Sequence, residues 1–283
     1  MKTRIGKYVV LALASVALVL AQQAAPSPSP VAKQPRPKSQ KELEAIQAMF
    51  SAPDPDGRIA AAKTVLTKFA DSEFQSLAYT MMAMSYQQKN APDDMIASAE
   101  EVVKIDPKNF NAKLMIAGAL AQRTKEFDLD KEEKLGRAEK LVKESQEDIK
   151  ASLRPREDVT EAQWEGAKKD YNAQALETMG LIAMARKKND DAIAFFKQSV
   201  ETSSTPEGAT MIRLAAVYNM QNRPDDALAV IEKLMALPDL HPTIKQFAQA
   251  ERVRATQMKN AAKPAAAPPA APAAAPPAAP PKP

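Results

Sequence analysis

Apolar residues recur along this chain at helical spacing, in pairs of stripes separated by turns. Tyr79, Met82, Ala83 and Tyr86 fall on one face of a helix. Ile96, Ala99, Val102 and Val103 form a second stripe. Between them, Asn90-Ala91-Pro92-Asp93 reads as a turn with Pro92 in the first turn of the next helix, and Asp106-Pro107 stops that helix. The stretch therefore predicts a helix-turn-helix unit. The unit returns with a period of about 34 residues, the mark of a solenoid. Pro55-Asp56-Gly57-Arg58-Ile59-Ala60-Ala61-Ala62 parallels Pro92 to Ala99, which predicts an earlier, degenerate pair over 42–69.

Two later units depart from the even period. Over 110–150, Ala138 to Lys143 aligns with Ala99 to Lys104 only if about five residues are inserted around Glu126 to Glu133. Ser152 to Asp158, with Pro155, reads as a loop. Thr160-Glu161-Ala162-Gln163 reads as a capping box opening a long helix through Trp164 and Tyr171 to Lys187. Pro242 to Lys259 predicts a final helix with Ile244, Phe247, Ala248 and Val253 inward, as repeat arrays usually end in a cap. No pair buries its own apolar face, so the pairs must stack.

The best-preserved copy, 173–206, places Leu176, Met179-Gly180, Ala183, Ala192, Phe196 and Ser199 at the positions that shape a hairpin. The next copy, about 208–241, offers Met211, Leu214-Ala215, Tyr218, Ala227, Ile231 and Leu234, with Pro238 near its close. On these residues the sequence resembles the tetratricopeptide repeat family, although Ala183 stands where that family usually has tyrosine. The resemblance covers most of 42–260. It implies an all-α, right-handed α-solenoid of about five helical hairpins plus a C-terminal capping helix. Gly180 and Ala192 are then small because the two helices of one hairpin cross closely there.

The ends differ in composition. Lys2, Arg4 and Lys7 precede an apolar run from Tyr8 to Leu20, and Val19-Leu20-Ala21 supplies a cleavage site. Residues 1–21 are thus expected to be a bacterial-type signal peptide, the run being too short for a span of about 20 residues. The protein is expected to be exported, to the periplasm or beyond. Residues 22–40, with Pro26, Pro28, Pro30, Pro35 and Pro37, predict a disordered linker. Residues 261–283, almost only Ala and Pro, predict a disordered tail of polyproline II character, leaving 41–260 as the repeat domain.

Cysteine is absent, so disulfides, thiolate catalysis and thiolate metal sites are excluded, and core packing alone must hold an exported fold. The formal charge is +4. The basic residues of the two ends account for it, and the middle is mildly acidic. That argues against nucleic acid, which needs a clustered basic face. The one histidine, His241, precedes Pro242 at a helix start with no partner for base catalysis. Asp54-Pro55-Asp56-Gly57 lacks the downstream ligands of a calcium loop and reads as a turn and N-cap. Asp128, Asp130, Glu132 and Glu133 read as acids favoured at a helix start. No catalytic residue, cofactor or metal is expected.

Carried over from the resemblance, the concave groove is lined by set positions of each first helix. These are Leu77, Thr80, Met84, Gln87 and Gln88, then Asn111, Leu114, Gly118, Ala121 and Gln122. The third set is Gln174, Glu177, Leu181, Met184 and Ala185, and the fourth is Ala209, Ile212, Ala216, Asn219 and Met220. The basic clamp of relatives that hold a terminal carboxylate is missing. Amides beside adaptable methionines suit a polypeptide segment, so a protein or peptide partner is expected. The alternative is a spacer or self-assembling protein associated with the cell wall through its basic, Pro-rich ends.

Overall fold

The computed structural model describes residues 30–205 and 207–261. The expected signal peptide, most of the linker and the Ala/Pro tail beyond Ala261 lie outside the described residues. Among the described residues the chain forms eleven α-helices and no sheet. They are α1 (Gln40–Ser51), α2 (Pro55–Lys68), α3 (Gln75–Gln88), α4 (Pro92–Ile105), α5 (Phe110–Arg123), α6 (Lys131–Ala151), α7 (Glu161–Ala185), α8 (Asn189–Thr202), α9 (Gly208–Met220), α10 (Pro224–Met235) and α11 (Pro242–Ala261).

Local chemistry sets most boundaries. Asp54 accepts a hydrogen bond from the Gly57 amide at 2.8 Å, and Asn109 accepts from Ala112 at 3.0 Å. Thr160 and Gln163 form a reciprocal capping box at the start of α7. Pro55, Pro92 and Pro224 occupy first-turn positions, where a missing amide costs nothing.

Three hairpin turns are built alike. Asn90, Lys187 and Asn222 take positive φ values of 53°, 60° and 54°. Behind each, the next amide bonds back across the helix end: Ala91 to the Tyr86 carbonyl, Lys188 to Ala183 and Arg223 to Tyr218. This closes α3, α7 and α9 with the same left-handed cap, which reverses the chain within two residues.

Successive helices pack pairwise, α1 on α2 through α9 on α10, and each pair stacks on the next. The first helices also touch one another, α5 with α7 and α9 with α11. The core runs the length of the array as four linked clusters, from Met49 and Val65, through Val102 and Ile116, then Leu135 and Ile149, to Phe196 and Leu234. Gly180 lies against Phe196, as the crossing of α7 and α8 requires: a Cβ there would sit 2.5 Å from the ring.

Two expectations are corrected. Phe247 and Val253 do not face inward. They are 56% and 45% exposed, and α11 instead buries Ala248 and Ala255. The alanines let α11 approach α9 and α10 closely, which turns the larger residues outward. The segment expected as a free linker is, from Val31 to Lys38, laid against the repeats. Val31 pairs in parallel with Arg154, and the Ala32 amide donates to the Arg154 carbonyl at 2.9 Å.

Candidate functional site: a cleft between the first helices

Alternate helices of the array face a common space. Between α3, α5 and α7 lies an open cleft of about 320 Å³. Many of the residues expected in the groove meet around it: Met84, Gln87, Asn111, Leu114, Gly118, Gln122, Gln174, Glu177 and Leu181. They come from three helices and are spread over nearly a hundred positions of sequence. Stacking of equivalent faces is what brings them together.

Their exposure is uneven. Met84 is 44% exposed, and Gln87, Gln122 and Gln174 also stand in solvent. Leu114 is only 1% exposed and belongs to the core beneath the cleft, so it supplies floor rather than contact. Leu181 is half-buried between two core clusters. Methionine and leucine form the floor, and primary amides stand on the rim where they can pair with a backbone.

Other expected groove residues lie elsewhere. Thr80 is one helical turn nearer the start of α3 and lines a neighbouring cleft, which Asn111 shares. Gln88 lies on the far side of α3, where its amide oxygen accepts from Arg58 of α2. Met184 and Ile212 are half-buried and pack against the last core cluster, because the fourth and fifth hairpins stack over them. Asn219 is 1% exposed and is covered by α11, its amide donating to the Glu251 carboxylate at 2.7 Å and to the Glu251 carbonyl at 3.1 Å. Met220 is 46% exposed at the end of α9 but is not among the residues that line the cleft. The fourth set therefore belongs to packing under the cap, since α11 occupies the place of a further first helix.

The cleft also has charge that a register of groove positions does not show. Arg123 joins the rim and pairs with Asp93 of α4, one contact being 3.2 Å. Glu177 pairs with Arg213 of α9. Burial pushes the Glu177 carboxyl above its usual value. Arg213 pulls it back, and neighbouring Glu207 pushes it further up. Beyond this pair the cleft continues into a polar hollow of about 480 Å³ that shares Gln87, Gln122, Gln174 and Glu177 with it. There Asp170 accepts from the Ser204 amide and hydroxyl, each at 2.8 Å, and ties the loop before α9 to α7. The expected neutral lining is thus a neutral stretch that ends in an ion pair. The turn residues Asn90 and Pro92 reach the cleft as well. They hold no groove position in any helix, so no helical register could find them.

The expected turn and helix-start acids do the local work assigned to them. Asp54 is an N-cap, Asp128 pairs with Lys134 at 3.3 Å, and Glu132 pairs with Arg186 at 3.0 Å. His241 is exposed, and its Nδ1 accepts from the Thr243 amide at 3.3 Å.

A tetratricopeptide repeat family model matches residues 77–109, which span α3, its left-handed turn and α4. The chain is a tetratricopeptide repeat protein. The tetratricopeptide array superposes on a thermophilic protein of the same repeat type from Thermus thermophilus with a TM-score of 0.53 at 15% identity, over 76% of this chain and 98% of that one. It is also similar to MamA, at 15% identity and a TM-score of 0.45 over 80% of this chain and 98% of that one. A tetratricopeptide repeat protein from Parabacteroides merdae ATCC 43184 is 13% identical, with a TM-score of 0.40 over 79% of this chain and 92% of that one. A comparison with curated proteins finds no significant match. Tetratricopeptide arrays typically serve as non-catalytic scaffolds for protein interactions. No helix among the described residues is long and apolar enough to cross a membrane.

Proposed function

We propose that this protein is a non-catalytic scaffold of the cell envelope that binds an extended polypeptide segment in the cleft between α3, α5 and α7. The observation that carries the reading is the convergence of residues from three helices on one open cleft, with Met84, Met115 and Leu181 in its walls and Gln87, Gln122 and Gln174 on its rim. A thioether and leucine floor adapts to varied apolar side chains, while rim amides satisfy the main chain of a bound segment. The Glu177–Arg213 pair at one end offers a charged group to each sign of side chain. The envelope location is supported by the signal-like pattern of residues 1–21.

The test is site-directed photo-crosslinking in cells. A crosslinking side chain at Gln122 or Gln174 should trap a polypeptide, and one at Glu232 on α10 should not. Met84→Glu with Gln122→Glu should abolish the adduct while helical content stays unchanged, because both residues are exposed in the free protein. An adduct formed only from Glu232 would sink the reading. Purified extracytoplasmic protein should begin at Gln22, and intact Met1 on it would contradict export by signal cleavage.

A further inference from the structure

The most informative feature outside that cleft is the strap formed by residues 31–38. It crosses from the α6–α7 loop to the α2–α3 loop, about 22 Å if fully extended at roughly 3.1 Å per residue. At one end its backbone pairs with Arg154, and the Gln34 side-chain amide donates to the Pro155 carbonyl. At the other end the Arg36 amide donates to Glu73 at 3.1 Å, and Lys38 pairs with Asp71 at 2.8 Å. Lys33 approaches Glu73 at 4.0 Å. The strap therefore shows what this strip recognises: extended backbone at one end and basic residues at the other.

Two further observations say that the strap is an imperfect occupant. First, residues 33–38 are exposed, and hydrogen bonds and ion pairs to water-facing groups hold little. Second, a cleft of about 980 Å³ lies along the strap. Its protein wall includes Leu77, Phe110, Leu153 and Tyr171, and Phe110 meets Tyr171 edge-on with ring centroids 4.8 Å apart. The strap offers this apolar wall only Ala32 and Pro35, the methylenes of Lys33 and Gln34 apart. The wall could accommodate a larger side chain than the strap supplies.

We propose that the strip from Arg154 and Pro155 to Asp71 and Glu73 is a docking site for an extended, proline-containing, basic segment that carries a large apolar side chain, and that residues 31–38 hold it in cis until such a segment displaces them. Backbone pairing at Arg154 accepts any extended chain, proline and a large side chain pack on Phe110 and Tyr171, and Asp71 and Glu73 select for positive charge. The site is separate from the reading of the cleft around Met84 and Leu181, and either can fail alone.

The experiment uses the full chain and a fluorescein-labelled peptide with the sequence of residues 30–38. Ala32→Pro with Lys38→Glu removes both anchors of the strap and leaves the acceptor strip intact. Circular dichroism and the melting curve should be unchanged, since the strap lies outside every helix. The peptide should bind this opened protein and bind wild type roughly tenfold or more weakly, because the tethered strap competes at high effective concentration. A peptide carrying Ala32→Leu should bind about tenfold more tightly and compete on wild type, from the added buried methylenes. Adding Asp71→Lys and Glu73→Lys to the opened protein should remove binding. No binding to the opened protein, or equal binding to both proteins, overturns the proposal. An Ala32→Leu peptide no tighter than the original overturns the apolar part. If the opened protein melts early, hydrogen exchange on wild type decides: the Leu peptide must speed exchange of the Ala32 amide, and an unchanged rate refutes displacement.

Discussion

Replacing Gly180 by alanine sets two effects of known sign against each other. In an open helix the change stabilises by about 1 kcal/mol, because glycine is the poorer helix former. Here the new Cβ would lie 2.5, 2.6 and 2.9 Å from three carbons of the Phe196 ring. Carbon contacts relax at about 3.5–4.0 Å, so α7 and α8 or the ring must move by roughly 1 Å. Phe196 is fully buried and cannot swing into solvent. Overpacking of this kind costs about 1–3 kcal/mol, and the net result should be destabilisation of about 1–2 kcal/mol. The sign should reverse in a Phe196→Leu background. Without the ring, Gly180→Ala should stabilise by up to about 1 kcal/mol relative to Phe196→Leu alone. Urea denaturation followed by circular dichroism reads all four proteins of the cycle. If Gly180→Ala stabilises the wild-type chain, or has one sign in both backgrounds, the close crossing of α7 and α8 at Phe196 is refuted.

Other residues give independent tests. Lys187 holds a left-handed conformation at φ 60°, where the equivalent turns use Asn90 and Asn222. Lys187→Asn should raise stability by a few tenths of a kcal/mol to about 1 kcal/mol in thermal melts, its surface pair with Glu126 mattering little. Met184→Glu should lower helical content or melting temperature, because Met184 packs on the last core cluster, and an unchanged melt would return it to the open groove. Arg186 and Lys143 hold the Glu139 carboxyl below its usual value of 4.5, so its contribution to stability is present above that value and is lost as pH falls through the depressed one. Glu139→Gln should therefore cost about 1–3 kcal/mol at pH 7 and nothing in strong acid, measured by denaturation across pH. Glu177 works the other way: burial raises its value, so the folded state favours the proton, and this contribution fades as pH rises through the raised value. Carbon-13 titration of the Glu177 carboxyl should place its midpoint above 4.5, and a midpoint below it would mean that Arg213 dominates.

The hairpins could be read from sequence because their causes are local. A stripe at 3.6-residue spacing, a proline in a first turn and a Thr-x-x-Gln capping box each act within a few residues, so α4, α7 and α10 carry their own boundaries. The small residues at Gly180 and Ala192 were legible for the same reason: close crossing leaves a mark at a single position. The groove was legible only in part. A helical register fixes which residues share a face, and it brought Met84, Gln122 and Gln174 to one cleft. It does not say what covers that face. α11 lies over Asn219, and the later hairpins cover Met184 and Ile212, so positions equivalent in sequence are open in the middle of the array and closed at its end. The Glu177–Arg213 pair and the strap against Arg154 join residues 36 and more than a hundred positions apart, through contacts between side chain or backbone groups that carry no periodic signal. Periodicity determined the repeat and its faces. Stacking in three dimensions decided which of those faces remain exposed, because burial of a face depends on a neighbour whose sequence lies elsewhere in the chain.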